Sequence, residues 1–155
     1  MVTFPAKHSV PQNTYVLQAG GRTAYFGGDT LLIPELAEVA RRFPQIDLVL
    51  LPINGLRVRP LLGRKIVMDP EDAAELCRIL RPRIVVPIHY SFTGGPTGDR
   101  LLLGYAGSTA DVCVRFGAAV AEVAPETVVR VLPPSEPLLL VAAAESRMVA
   151  GRVAV

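Results

Sequence analysis

The sequence predicts an α/β fold built on one mixed β-sheet, with about three helices on one face of the sheet. Two β-prone runs flank Gly20 and Gly21, which is typical of an antiparallel hairpin. Farther along, three patterns follow one another: an apolar run over residues 47–53, a helical pattern that begins at Asp69, and a second apolar run over residues 83–86. A strand, a helix and a strand in that order predict a parallel crossover, so both kinds of strand pairing are expected.

The N-terminal part of the chain is predicted to contribute three short β-prone segments, which are residues 2–4, 14–18 and 22–26. After Asp29 the apolar residues recur every three or four positions, with Pro34 near the start and glutamates in the first turn. This pattern predicts a helix that ends near Phe43. The nearly uninterrupted apolar run at 47–53 is typical of a strand that is covered on both faces.

The C-terminal part predicts two further helices. Asp69 is a suitable N-cap, Pro70 follows at the first helical position, and acids occupy the first turn. Pro82 ends this helix, and Ser108 is predicted to cap a helix that runs to about Val123. Residues 91–104 are glycine-rich and are expected to form an exposed loop. A last strand is predicted over 127–132, and residues 138–140 are expected to pair or pack near it. We expect residues 1–140 to form one domain and residues 141–155 to form a tail.

The overall composition excludes several classes of protein. A chain of 155 residues with a formal net charge of +2 and no basic stripe interleaved with aromatic residues does not indicate a nucleic-acid binder. No run of about 18 apolar residues is present, so no membrane span is predicted. No secretion signal is visible, and Cys77 and Cys113 lack metal-binding or redox spacing. We therefore expect two free, core-packed cysteines and a cytoplasmic location.

One irregular stretch over residues 54–67 carries four cations and no acid; these are Arg57, Arg59, Arg64 and Lys65. Two interpretations are open for it. The stretch either presents cations to an anionic group of a substrate, or it is a solvated surface loop, and the second interpretation is the one favoured by its composition alone.

Three potential metal ligands each follow a predicted strand. They are His8, Asp29 and His89, and the two histidines are the only ones in the chain. Strand ends on one edge of a sheet can converge, and zinc accepts imidazole nitrogen and carboxylate oxygen. The long separations between the three residues fit no local motif. Asp29 taken alone is better explained as a turn carboxylate that caps the next helix.

Five segments, taken together and in order, resemble the metallo-β-lactamase fold superfamily. They are Pro-Ala-Lys-His-Ser, Tyr-Phe-Gly-Gly-Asp-Thr, Asp-Leu-Val-Leu-Leu-Pro-Ile, Met-Asp-Pro-Glu-Asp-Ala and Val-Val-Pro-Ile-His-Tyr. Within that superfamily, the likeness is to the branch of lactonase-like and phosphodiesterase-like cytoplasmic hydrolases. The resemblance implies that Asp29 bridges two metals, that His8 binds one of them and that His89 binds the other. It implies zinc as the cofactor, with one or two divalent ions and manganese as an alternative.

The chain also departs from the pattern of that family. The His-x-His-x-Asp-His motif of the N-terminal half is missing, and two histidines cannot supply it. Asn54 replaces a glycine that is usual after the Leu-Pro-Ile strand. The resemblance therefore implies the C-terminal half of an αββα sandwich, in which one face of the sheet lacks its partner layer. The mean hydropathy of +0.38 agrees with an uncovered apolar face. We expect homo-oligomerisation or a complementing N-terminal half.

Two functions follow from this comparison. The first is a metal-dependent hydrolase that acts on a small-molecule lactone or phosphoester. Ser9, Thr30 and Tyr90 are then candidates to support the ligands, although turn chemistry and packing explain them equally well. The second is a non-catalytic, truncated or degenerate half-domain that acts by association with another chain.

Overall fold

The computed structural model describes residues 1–8, 11–91, 94–133 and 135–140. Its larger sheet has six strands in the order β1-β2-β3-β4-β7-β9, and a smaller sheet has the order β6-β5-β8. The strands are β1 (Val2–Lys7), β2 (Pro11–Ala19), β3 (Arg22–Phe26), β4 (Leu48–Pro52), β5 (Arg57–Val58), β6 (Arg64–Lys65), β7 (Ile84–Ile88), β8 (Leu103–Gly104) and β9 (Val128–Val129). The helices are α1 (Ala37–Arg42), α2 (Pro70–Leu80), α3 (Gly95–Thr97) and α4 (Thr109–Val123).

The predicted mixed sheet is confirmed. Strands β1, β2 and β3 pair antiparallel, and Gly20 and Gly21 form the turn of the second hairpin with φ values of 56° and 71°. Strands β3, β4, β7 and β9 pair parallel. The crossover from β4 through α2 to β7 is the predicted βαβ unit. Because β1 runs in the same direction as β3, the three strands that precede the predicted ligands, β1, β3 and β7, end at one edge of the sheet.

The two longer helices begin where the sequence predicts. The Asp69 carboxylate accepts a hydrogen bond from the Asp72 amide at 3.1 Å, and Pro70 opens α2. Ser108 and Asp111 form a reciprocal capping box at the start of α4. The helix predicted after Asp29 is also present, but it begins as a 3₁₀ turn at Pro34–Leu36 and becomes α-helical only in α1.

Three local predictions were wrong. The stretch 54–67 is not irregular throughout, because β5 and β6 pair with each other and β5 also pairs with the distant β8. The predicted loop at 91–104 contains α3, a wide turn at Gly98–Leu102 and β8 among its described residues. The last strand is restricted to β9, and residues 136–140 have no regular secondary structure. The predicted tail at 141–155 lies outside the described residues.

One face of the larger sheet forms the hydrophobic core. Val16, Tyr25, Val49 and Val85 lie side by side on neighbouring strands, and all are almost fully buried. Helices α1, α2 and α4 supply the opposing side chains, which include Val39, Leu76, Cys77, Phe116 and Val120. Burial raises the pKa of the Cys77 thiol to about 12, and both cysteines are free, as expected for core thiols.

The opposite face of the sheet is apolar but much more exposed. The register aligns Leu17 with Ala24, and Phe26 with Leu50. Leu17 is 46% exposed and Phe26 is 36% exposed. At the far end of the sheet, Val128 lies beside Ile84 and is 49% exposed. In the described part of the chain, the helical layer covers one face of the sheet only.

This one-sided core predicts unequal costs for truncating similar leucines. We expect Leu51→Ala, which removes a fully buried side chain from the helix-covered face, to lower the free energy of unfolding by about 2–5 kcal/mol. Leu17→Ala on the open face should cost less than about 1 kcal/mol. Chemical denaturation of both variants measures the difference, and equal costs would contradict a core restricted to one face.

Candidate metal centre

The three predicted ligands follow strands that end at the same edge of the larger sheet. His8 follows β1, Asp29 follows β3 and His89 follows β7. Strands β3 and β7 are separated by β4 alone, so the parallel register brings Asp29 and His89 to neighbouring positions. Ligand sites of open α/β sheets lie at this carboxyl edge.

Asp29 is held by a turn of unusual backbone geometry. The Gly27 amide donates to the Leu50 carbonyl at 2.9 Å, and Gly28 then adopts a φ of 58°, which favours glycine. A side chain at Gly27 would come within 3.2 Å of the Leu50 oxygen and of the Leu51 side chain. The two glycines therefore let the chain turn tightly against β4 and place the Asp29 carboxylate at the rim of the sheet.

His89 lies next to that carboxylate. Its Nδ1 is 2.5 Å from Asp29 Oδ1, and the two side chains are 38% and 31% exposed. The orientation does not meet hydrogen-bond geometry, so the buried Oδ1 has no hydrogen-bond partner. His89 has a φ of 60°, a conformation that is uncommon for a residue with a β-carbon and that clusters at functional sites.

His8 is oriented by the backbone of another segment. Its Nδ1 lies 2.9 Å from the Ile66 carbonyl oxygen. A carbonyl can only accept, so Nδ1 is the donor in this contact, and in the neutral imidazole Nε2 is the nitrogen open to a metal. Metal-binding histidines are commonly oriented in this way. The sequence contained no signal for the role of Ile66, because its contribution is a backbone atom 58 residues away.

Thr30 connects the segments of His8 and Asp29. Its buried hydroxyl accepts from the Lys7 amide at 3.1 Å and donates to the Leu31 carbonyl at 2.9 Å. The Leu31 amide in turn donates to the Lys7 carbonyl. Thr30, which directly follows Asp29, therefore links the turn of Asp29 to the end of β1. None of these bonds joins the Thr30 side chain to the side chain of His8 or Asp29.

Of the other two supporting candidates, Tyr90 and Ser9, the structure describes only Tyr90. The Tyr90 hydroxyl donates to the Leu132 carbonyl at 3.0 Å, and its ring packs against the core. Its phenol thus anchors the chain after β9, while its backbone follows His89 directly. Ser9 lies outside the described residues.

Two of the four cations of the basic stretch, Arg57 and Lys65, face the acids at the start of α2. Lys65 Nζ lies 2.6 Å from Asp69 Oδ2 and 2.5 Å from Asp72, and Arg57 lies 3.8 Å from Asp69. Burial opposes the charged form of Lys65, but the two carboxylates outweigh it and raise the pKa of that amine. Arg59 donates from Nε to the Leu103 carbonyl at 2.6 Å. These contacts hold the smaller sheet against α2.

The donor set fits part of a metal site. An unpartnered carboxylate oxygen beside an imidazole is a suitable pair of donors for zinc, and His8 presents a free Nε2 on the adjoining segment. Within the described ranges, however, no three His, Cys, Asp or Glu side chains come together closely enough to hold a metal ion. The described part of the chain thus supplies the Asp29 and His89 pair without a complete ligand shell.

Comparison with known proteins agrees with this geometry. The Beta-lactamase superfamily domain matches residues 1–90, and the chain belongs to that family. A relative in Deinococcus radiodurans, called a UPF0173 metal-dependent hydrolase, is 34% identical over 120 residues, which are 72% of this chain and 48% of the relative. Igni18, a metallo hydrolase from Ignicoccus hospitalis, is 26% identical with a TM-score of 0.60 over 88% of this chain and 50% of its own.

The fold likeness extends to more distant proteins. The metallo-beta-lactamase fold protein YhfI from Bacillus subtilis is 12% identical, and its TM-score is 0.58 over 84% of this chain and 45% of its own. The predicted fold family is therefore confirmed. The chain spans about half the length of the relatives it matches. No described helix is both long and apolar enough to cross a membrane.

The glycine turn before Asp29 can be tested by adding one methyl group. We expect Gly28→Ala to lower the free energy of unfolding by about 1–2 kcal/mol, because its φ of 58° is left-handed. Gly117→Ala is the control, since a β-carbon there meets nothing within 4 Å inside α4. That change should stabilise the protein by up to about 1 kcal/mol. Thermal unfolding compares the two, and a neutral Gly28→Ala would contradict the strained turn.

Proposed function

We propose that this chain carries part of the active site of a metal-dependent hydrolase that acts on a lactone or a phosphoester. The observation that supports the proposal is the buried, unpartnered Asp29 Oδ1 beside His89 Nδ1 at the carboxyl edge of the sheet. The metal-dependent hydrolase named in Deinococcus radiodurans is a relative over 72% of this chain. Zinc, or another divalent ion such as manganese, would supply Lewis acidity and an activated water when bound.

Each candidate residue has a distinct task in this proposal. His8 presents Nε2 while Ile66 holds its ring, and His89 and Asp29 present a nitrogen and an oxygen from the adjoining strand ends. Thr30 keeps the His8 and Asp29 segments in register through its bonds to Lys7 and Leu31. His8, Asp29 and His89 are proposed as ligands, and no side chain of the described set is assigned as a separate nucleophile or general base.

A small-molecule substrate is supported by a cavity beside the site. It measures about 400 Å³ and is lined by residues that include Asn54, Tyr90, Tyr105 and Thr109. Asn54 follows β4 and Tyr90 follows His89, so the cavity opens at the same carboxyl edge. Such a volume suits a ligand of ordinary metabolite size. A cytoplasmic location of the protein is part of the proposal.

The proposed active site needs a second layer. The described residues provide no third ligand beside Asp29 and His89, and the face that carries Leu17 and Phe26 is exposed. We propose that a complementing N-terminal half or a second copy of the chain covers this face. The alternative function, a non-catalytic half-domain that acts by association, rests on the same two observations and differs only in that no metal is held.

Metal content tests the catalytic proposal. Elemental analysis of the purified chain should find about one divalent ion per chain, because three protein donors and an open position suffice for a catalytic zinc. His8 would have to join Asp29 and His89 when the ion binds. His89→Ala and Asp29→Asn should each lower the content strongly. Glu35→Gln, a similar change at an exposed acid, is the control and should leave it unchanged. Lactone and phosphodiester substrates would then be assayed on the metal-bound protein.

The same measurement separates the two functions. Absence of metal from the wild-type chain, alone and after addition of zinc, would contradict an active site in the isolated chain and favour the half-domain. Equal metal content in wild type and His89→Ala would contradict the proposed ligand set.

Association through the open face is tested by charge insertion. We expect the wild-type chain to self-associate at micromolar concentration in the absence of another partner, because exposed apolar patches of this kind promote association. Leu17→Lys should shift sedimentation velocity profiles toward the monomer. Val114→Lys is the control, since Val114 is 72% exposed on α4 and lies on another face. A monomeric wild type over the whole concentration range, or an equal effect of both variants, would contradict this use of the face.

A further inference from the structure

A large cleft lies at the opposite edge of the sheet from the candidate metal centre. It measures about 620 Å³ and is bordered by the Gly20 and Gly21 turn, the start of β3 and the loop between α1 and β4. An adjoining cavity of about 430 Å³ shares Arg22 and Asp47 with it and extends to Arg83. The proposed hydrolase makes no use of this edge.

The cleft is strongly basic. Four arginines from three segments line this cleft and the adjoining cavity: Arg22 lines both, Arg42 lines the first, and Arg81 and Arg83 line the second. Asp47 is the single acid among the described residues that line the two cavities. Four guanidinium groups and one carboxylate leave an excess of three positive charges. Clefts lined by one sign of charge concentrate ligands of the opposite sign.

Asp47 cannot neutralise this cluster, because both of its oxygens are already used. Oδ1 lies 2.5 Å from Arg22 Nη1 and 3.3 Å from Arg83 Nη1, so two guanidinium groups share one oxygen. Oδ2 accepts from the Thr23 amide at 3.0 Å. Burial opposes ionisation of this carboxyl, but the Thr23 amide and the two arginines outweigh it and hold its pKa below the usual range. Asp47 therefore stays charged and positions Arg22 and Arg83 side by side.

The other two arginines do not bind Asp47 in the structure. The Arg42 guanidinium lies over the rings of Phe4 and Phe43, at 5.2 and 5.9 Å from their centroids, and this stacking orients it. Arg81 ends α2 in a left-handed conformation with a φ of 47°. The cluster thus combines two arginines positioned by a carboxylate, one positioned by aromatic rings and one that follows the end of α2.

We propose that this cleft is a binding site for a small phosphate-bearing anion, such as a pyrophosphate or a phosphomonoester. Guanidinium groups bind phosphate oxygens through paired N–H donors, and Arg42 and Arg81 add two guanidinium groups that Asp47 does not engage. Gly20 and Gly21 border the cleft without side chains, and a β-carbon at either would meet no atom within 4 Å. The volume is that of a small-molecule site.

This site is independent of the proposed active site. A strand of five residues spans roughly 17 Å, so a ligand at the start of β3 is remote from Asp29 and His89 at the other end of β3 and β7. Binding of an anion here would reduce the repulsion among the arginines and stabilise the fold. It does not require a metal or the second layer of the sandwich.

Pyrophosphate titration, followed by amide chemical shifts in ¹H–¹⁵N spectra, tests the proposal. We expect shifts centred on Gly20, Gly21 and Thr23 and saturable binding. The double variant Arg42→Gln/Arg81→Gln leaves the Asp47 contacts intact and should weaken binding by roughly tenfold or more, as the loss of two charge-assisted contacts predicts. Arg41→Gln is the matched control, because Arg41 pairs with Glu38 beside the cleft and does not line it.

A parallel titration of His89→Ala excludes the metal centre, since pyrophosphate also binds metals. Retained binding in that variant supports the cleft, whatever the metal content shows. Three results would overturn the proposal: no saturable binding by the wild type, equal weakening by Arg41→Gln, or loss of binding in His89→Ala. Thermal unfolding of each variant without ligand ensures that any loss reflects the site and not the fold.

Discussion

The parallel pairing of β3, β4 and β7 is the constraint on which the rest of the structure depends. It aligns Phe26, Leu50 and Val86 across three strands and makes the chain leave each strand at the same edge. The turn at Gly27 and Gly28 and the left-handed His89 then convert two strand ends into a facing carboxylate and imidazole. Because α2 makes the crossover between β4 and β7, the same pairing also places the helical layer on one face.

A one-sided core has a consequence for both stability and function. The helices cover Tyr25, Val49 and Val85, while Leu17 and Phe26 on the other face stay exposed. The chain spans about half the length of the relatives it matches, and its described residues hold an incomplete set of ligands. The exposed face and the incomplete ligand set occur in the same chain, which is the reason to study metal content and association together.

The two edges of the sheet differ in chemistry. The carboxyl edge holds Asp29 and His89, whereas the amino edge holds an arginine cluster organised around Asp47. Turns and loops at each edge connect different elements, so side chains distant in sequence meet there. The strands between them are almost entirely apolar and keep the two sites apart.

Local signals in the sequence determined the elements and the family. The Gly20 and Gly21 hairpin, the Asp69 and Ser108 caps and the alternation of strand and helix are short-range patterns, and each is present in the fold. Longer-range contacts decided the rest. Three such contacts join residues far apart in the chain. They are the strand pairing that orders residues 54–67, the Ile66 carbonyl that orients His8, and the arginines that converge on Asp47. No pattern within a short window encodes such contacts, because they form only when packing of the helices on the sheet brings those segments together.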